Sequence, residues 1–455
     1  MPQFFTGLYP SEHTLFQMEH ALPEEIETLA ERLGAVGYKT VGFSHNPLVG
    51  QITNKLCKGF HQFRNYNYLG ASLLTYQLSV EKANASLSVL LRRKMRSYAA
   101  EFLGYSKNRR FHQLSQYVFP LWHGLLDVSG KSKYRQIRSS LQAAVKEIEN
   151  HSIGQHKKPV FTFINLMGAH VPYAPPSWAL NRFLSKSMRK NVNNLLRNVN
   201  KWQVDVRNWL AMDNLPLAEG QEILNAFYDA EVAAQDAEVG WFLNQLTQKG
   251  LLKNTMVVIV ADHGDHLGEK ERLNHAFGVY RELTNVPLLI YDPSGDFSHG
   301  AVKHEPVSTR RIFHSIVSAA AVANQKEHQL SLANETSVKN ELPVSEGMPL
   351  NWAIARLERL QPGIVSTHGY KSPSLAIFDD KYKFILQGEK MELYDFINDI
   401  SETNNLYKSE PKRVADLRLQ LGHLKKRFEQ LTNNNRSEQD DEVILAHLRA
   451  LGYID

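Results

Sequence analysis

The run Met256-Val257-Val258-Ile259-Val260-Ala261 ends abruptly in Asp262-His263-Gly264-Asp265-His266-Leu267-Gly268-Glu269, and this constrains the fold more than any other stretch. The apolar residues are mostly β-branched and read as a buried strand. Continuous rather than alternating hydrophobicity marks a parallel strand covered on both faces. In open α/β sheets, ligands bind outside the carboxyl ends of the strands. Asp262 and His263 stand at such an end. A carboxylate oxygen and an imidazole nitrogen suit a divalent cation, and Gly264 lets the chain turn sharply towards it. An Asp-His pair can equally cap a following helix, so spacing alone leaves both readings open.

Further strands are expected at Tyr38 to Phe43, Val160 to Leu166 and Val286 to Tyr291. A helix is expected from Pro23 through Gly34, with Ile26, Leu29, Ala30 and Leu33 on one face, and a longer one from Glu219 to Lys249, stopped by Gly250. Strands alternating with helices predict a doubly wound α/β sheet. Residues 70 to 158 read as helical and basic, with Arg92, Arg93, Lys94 and Arg96 forming a solvated face or, alternatively, a docking surface for an anionic substrate or lipid headgroups. Residues 177 to 212 read as a polar helical insertion, and 325 to 348 as a mobile surface loop. Short strands are expected from Pro362 to Ile385, an amphipathic helix from Pro411 to Gln430, and apolar periodicity again over 442 to 453.

Two more histidines follow strands. His170 lies in Gly168-Ala169-His170-Val171-Pro172-Tyr173, where it could donate to a leaving oxygen or an anionic oxygen, or simply bond to backbone. His275 comes twelve residues after His263. Three histidines and an aspartate at neighbouring strand ends could supply a Lewis acid and proton donors around a tetrahedral oxyanion. The single cysteine, Cys57, has no neighbouring base and reads as a structural thiol. It can form neither an internal disulfide nor a Cys-based zinc site, which suits a cytoplasmic location. The net charge of +5, from 52 basic and 47 acidic residues, is too small an excess to indicate nucleic acid. No apolar run reaches the ~18 residues of a transmembrane helix.

Ordered blocks along the chain resemble the sulfatases of the alkaline phosphatase superfamily, which also holds phosphonate monoester hydrolases and phosphodiesterases. These are Thr6-Gly7-Leu8-Tyr9-Pro10-Ser11-Glu12-His13, the segment Asn165 to Pro176, Tyr228-Asp229-Ala230-Glu231, Val257 to Glu269, Glu392-Leu393-Tyr394-Asp395 and Leu448-Arg449-Ala450-Leu451-Gly452-Tyr453-Ile454. The resemblance implies an alkaline-phosphatase-like α/β fold, a mixed sheet flanked by helices over residues 1–345. A smaller antiparallel sheet with a helix would follow over 346–455. It implies that Asp262 and His263 bind a divalent metal (Ca2+, Mg2+ or Mn2+), that His170 and His275 contact the sulfate group or leaving oxygen, and that His45 or Asn46 touches substrate. The substrate would be a small sulfate ester, or alternatively a phosphate ester or phosphonate. By the spacing of Thr6-Gly7, Met1 falls on the last position of the family's nucleophile motif. The nucleophile and the first metal-binding aspartates would then lie upstream of residue 1, in a segment that could also carry a signal peptide. The resemblance thus also allows an inactive, metal-binding fragment. Oligomeric state is not readable.

Overall fold

The structure is a computed structural model that describes residues 1–17, 20–46, 48–50, 54–66, 133–152, 158–192, 194, 195, 199, 218–360 and 362–432. The basic cluster at 92–110, much of the 177 to 212 insertion and the periodic stretch 442 to 453 lie outside the described residues.

The first sheet has three parallel strands. β1 (Lys39–Ser44) lies between β2 (Gln62–Asn65) and β3 (Val160–Asn165). Val41 pairs with Gln62 on one side and with Thr162 on the other. β3 alternates in the way a strand with two covered faces must. Val160 and Ile164 face a core built by Ile137, Leu141, Ala144 and Ile148 of the helix Lys133–Ser152, together with Phe242 and Leu246. Phe161 and Phe163 face the opposite core of Phe5, Ala30, Phe60 and Phe63. Gly42 is required at the centre, because a Cβ there would come 2.2 Å from the Phe63 ring.

The apolar strand before Asp262 departs from the parallel pairing expected of it. β4 (Val257–Val260) pairs antiparallel with β7 (Leu288–Tyr291), Val257 opposite Tyr291 and Val260 opposite Leu288. A parallel return needs a crossover, usually a helix. The connection here holds only the two-residue strands β5 (His266–Leu267) and β6 (Leu273–Asn274) and single helical turns such as Arg281–Thr284. Among the described residues β3 pairs only with β1 and β4 only with β7, so the sheet runs in two pieces. With one edge unpaired among the described residues, β3 and β4 are half-buried along their whole length, although both faces of β3 pack on cores.

Two helix boundaries are set by caps that composition did not reveal. The first helix expected from Pro23 begins at Leu29, because Thr28 accepts from the Glu31 amide while Glu31 accepts from the Thr28 amide. The segment expected to be a mobile loop contains the helices Gln325–Gln329 and Glu335–Asn340, capped by Asn324 and Asn334, and then β8 (Val344–Gly347). Its polar residues are cap residues rather than loop filler.

β8 joins β9 (Ser374–Phe378), β10 (Tyr382–Gln387) and β11 (Lys390–Asp395) in an antiparallel sheet ordered β11-β10-β9-β8. Leu375, Ile377 and Phe384 pack under Val414, Leu417 and Leu421 of the helix Pro411–Thr432. The other face, Ala376, Ile385 and Tyr394, rests on Val279 and Tyr280. A buried ion pair reinforces that contact. Lys383 Nζ lies 2.7 Å from Glu402, whose other carboxylate oxygen accepts from the Arg281 amide at 3.0 Å. This sheet therefore braces the segment that follows the strand-end histidines. No helix among the described residues is long and apolar enough to cross a membrane.

Candidate metal and anion site

Asp262, His263, Gly264 and Asp265 leave the end of β4 in a tight turn. Gly264 is held by its amide on Leu283 O at 3.1 Å, and a Cβ there would sit 2.0 Å from Glu282 O. His263 fixes its own ring by bonding Nδ1 to Gly264 O at 2.9 Å, leaving Nε2 3.9 Å from Asp262 Oδ2. The β5–β6 hairpin, Leu267 opposite Leu273, then folds the chain back. That two-residue ladder places His275 beside the start of the turn. His275 Nδ1 lies 2.7 Å from Asp265 Oδ1, and its ring stacks on His263 with centroids 4.2 Å apart. His170, from the loop after β3, brings its ring to 5.4 Å from that of His275.

Three of the expected residues thus meet: His170, His263 and His275, with Asp262 at the edge of the group. One residue was passed over. His263, Asp265 and His275 each offer a ligand atom within 4.8 Å of the others, so the compact donor set contains Asp265, not Asp262. The sign was present in sequence as a second carboxylate three residues after the first. His45 and Asn46 stand apart in their bonding. His45 is buried, with Nε2 2.9 Å from Ser140 Oγ and its ring stacked on Tyr66. Asn46 Oδ1 accepts from the Leu48 amide at 2.9 Å, a turn-forming bond. Strand alternation past Ser44 points the His45 ring into the helix Lys133–Ser152. Burial pushes the Cys57 thiol up, away from the thiolate form that attacks.

The electrostatics divide the histidines by task. Burial, seconded by the His275 charge, pushes His170 down to about 4, so it is neutral at pH 7. Burial also lowers His263, again with His275 opposing its protonation. A neutral imidazole with a free Nε2 is the form that ligates metals. For His275, burial alone would lower the pKa, but the hydrogen bond and charge of Asp265 outweigh it and raise it. Burial opposes ionisation of Asp265 too, and His275 overcomes it, holding the carboxylate below its usual range. The side chains of His263 and His275 stay 37% and 32% exposed, whereas Asp265 is 7% exposed, so the rings face solutes and the carboxylate backs them. Asp262, His263 and His275 open onto a cavity of about 1340 Å3 whose wall also includes Arg281, His304 and Arg310.

Comparison with known proteins gives this geometry its family. The Sulfatase domain matches residues 1–322. The chain belongs to the sulfatase family. Arylsulfatase K of Xenopus laevis is 24% identical over 289 residues, 58% of this chain and 51% of that protein. The arylsulfatase of Clostridium perfringens (strain 13 / Type A) is 23% identical over 303 residues, 64% and 59% respectively. This family member therefore spans between half and six-tenths of the length of these curated relatives. Among solved structures, the phosphonate monoester hydrolase of Agrobacterium radiobacter superposes with a TM-score of 0.59 at 16% identity, over 93% of this chain and 85% of that one. A 2-O GAG sulfatase superposes with a TM-score of 0.53 at 15% identity, over 97% and 84%. At such identities these structures establish the fold, and with it the α/β domain followed by an antiparallel sheet.

Proposed function

We propose that this sulfatase-family chain serves metal-dependent hydrolysis of a sulfuric ester, with His263, Asp265 and Asp262 on the metal side and His170 and His275 on the side of the ester oxygens. The observation that carries the reading is the meeting of His170, His263 and His275, from separate segments, around one buried carboxylate. The metal side fits an ion by its chemistry: the His263 imidazole and the Asp265 carboxylate offer atoms within 4.8 Å of one another, with Asp262 beside His263. Imidazoles favour Mn2+ over Ca2+ and Mg2+, which prefer all-oxygen shells. When bound, such an ion would supply Lewis-acid polarisation of the sulfuryl oxygens.

The chain's own residues do the rest. His263, neutral and locked by Gly264 O, presents a lone pair at Nε2. His275 donates Nδ1–H to Asp265, and in its protonated form the Nε2–H can pass to a leaving alkoxide as general acid. His170 is neutral and donates Nδ1–H to Val171 O at 2.5 Å, which leaves Nε2 as an acceptor suited to take a proton from an attacking hydroxyl or water. The attacking nucleophile is not assigned to any residue of this chain.

The test uses the full protein, freed of metal by a chelator and reloaded with Mn2+, Ca2+ or Mg2+, on 4-nitrophenyl sulfate. Metal-dependent sulfate release that is lost in His263→Ala supports the reading; release that survives both chelation and that substitution overturns it. A second reading, hydrolysis of a phosphate ester or phosphonate, draws on the histidine that follows Asp262. Rates on matched sulfate, phosphate and phosphonate esters separate the two. Metal binding without turnover of any of them would mark a non-catalytic family member.

A further inference from the structure

The segment that carries His170 makes no ladder and no helix. Residues 168–174 run as turn and coil between β3 and the helix Ser177–Phe183. Buried backbone groups nevertheless need partners. Here the partners are side chains from two helices. Gln235 Oε1 accepts from the Gly168 amide at 2.7 Å. Lys133 Nζ donates to His170 O at 3.0 Å and to Pro172 O at 3.3 Å. Glu231 Oε1 accepts from the Ala174 amide at 2.5 Å. The same Glu231 oxygen lies 3.0 Å from Lys133 Nζ, and its other oxygen accepts from the Tyr134 hydroxyl.

Glu231 and Gln235 are four residues apart on the helix Ala218–Gln248, and so share one face. The Lys133 and Glu231 side chains are 4% and 0% exposed. A buried ion pair is a poor source of stability, since an apolar pair of similar volume often does as well or better. What the apolar pair cannot do is bond to the loop's carbonyls and amide. The loop also lies hard against the helix, because a Cβ on Gly168 would come 2.3 Å from Gln235 Oε1. Tyr173, 1% exposed, is anchored in the core cluster of Phe227 and Leu180.

We propose that Lys133, Glu231 and Gln235 are positioning residues that hold the His170 loop, and thereby the His170 ring, in register with His275. This rests on the role proposed for His170 beside the ester. The four bonds reach backbone on both sides of that residue, at 168, 170, 172 and 174, so they fix where its Cα sits, and the ring follows.

The test reads His170 directly. The full chain is labelled with 15N-histidine, and the His170 ring signals are assigned by their loss in His170→Asn. In Gln235→Ala, which removes an acceptor from a half-buried helix position, the His170 signals are expected to shift or split. Those of the remote His61 stay in place, and Gln235→Glu, which restores an acceptor, returns the His170 signals. The double variant Lys133→Met/Glu231→Leu is expected to fold and to displace His170 as well; if it does not fold, the Gln235 pair of variants still decides. With turnover of 4-nitrophenyl sulfate, kcat of Gln235→Ala falls roughly 10- to 100-fold while KM stays within about twofold. An unmoved His170 spectrum in Gln235→Ala, or an unchanged kcat in an active enzyme, overturns the proposal. Absence of turnover in the unmodified chain would defeat the sulfuric ester reading alone and leave the spectral test to decide this one.

Discussion

At the residue scale, the pair His275–Asp265 carries the most chemistry. Burial favours the neutral form of each, and across 2.7 Å each pushes the other back towards its charged form. Asp265→Asn removes the charge and keeps the shape. His275 then loses what raises its pKa, so it gives up its proton at lower pH than in the parent protein. In an active enzyme the high-pH limb of kcat/KM, where a required acid is lost, moves to lower pH. A limb that stays in place would show that His275 is not the acid. His275→Ala is expected to lower kcat by about 100-fold or more, the usual worth of a general acid. Of these two residues His275 was legible in sequence as a strand-end histidine. Asp265 was not, because two aspartates three apart in one turn cannot be told apart without knowing which faces the returning hairpin.

At the scale of elements, the turn after β4 depends on a missing side chain. Gly264→Ala puts a methyl group 2.0 Å from Glu282 O, and backbone cannot yield as a flexible side chain would. The expected loss is about 1–3 kcal/mol in urea unfolding, together with weaker Mn2+ binding by calorimetry, since Asp262, His263 and Asp265 all leave that turn. An unchanged midpoint and affinity would show that the turn has slack. Helix ends were the least legible part of the fold. Pro23 looked like a helix start, but the reciprocal bonds of Thr28 and Glu31 win because they satisfy two orphan amides at once. Thr28→Ala also breaks the Thr28 Oγ1 bond to Lys58 O, and should cost about 1 kcal/mol by chemical denaturation.

At the scale of the whole molecule, buried neutral histidines make the protein sensitive to acid. His45 is pushed down to about 4, chiefly by burial. The unfolded chain takes up a proton at His45 below about pH 6.5, while the folded chain resists until about 4. Stability is therefore full above pH 6.5 and falls as pH drops from there towards 4, by roughly 3 kcal/mol for this residue. His45→Gln should flatten that fall in unfolding curves taken between pH 7 and pH 4.5; the same slope in both proteins would refute it. A different long-range tie joins the C-terminal antiparallel sheet to the helical turn Arg281–Thr284 through Glu402. Glu402→Gln leaves Lys383 buried without its counter-charge and should cost about 3–5 kcal/mol, read as a lower thermal midpoint at neutral pH.

What the sequence determined by itself is local and periodic. The apolar run at 256 to 261 had to be a strand, its end had to expose Asp262 and His263, and the long helix closed by Gly250 was plain from its pattern and length. These follow from hydrophobic periodicity and from glycine's conformational freedom, which act within a few residues. The tertiary structure alone decided direction and convergence. β4 runs antiparallel to β7, and the segment between them holds the β5–β6 hairpin and single helical turns rather than a crossover helix. His170 meets His275 across about a hundred residues because helix side chains grip its loop. His45, equally near a strand end, turns inward onto Ser140 instead. The strand end Asp262–His263 thus holds a group of donors whose membership was settled by packing between segments far apart in the chain.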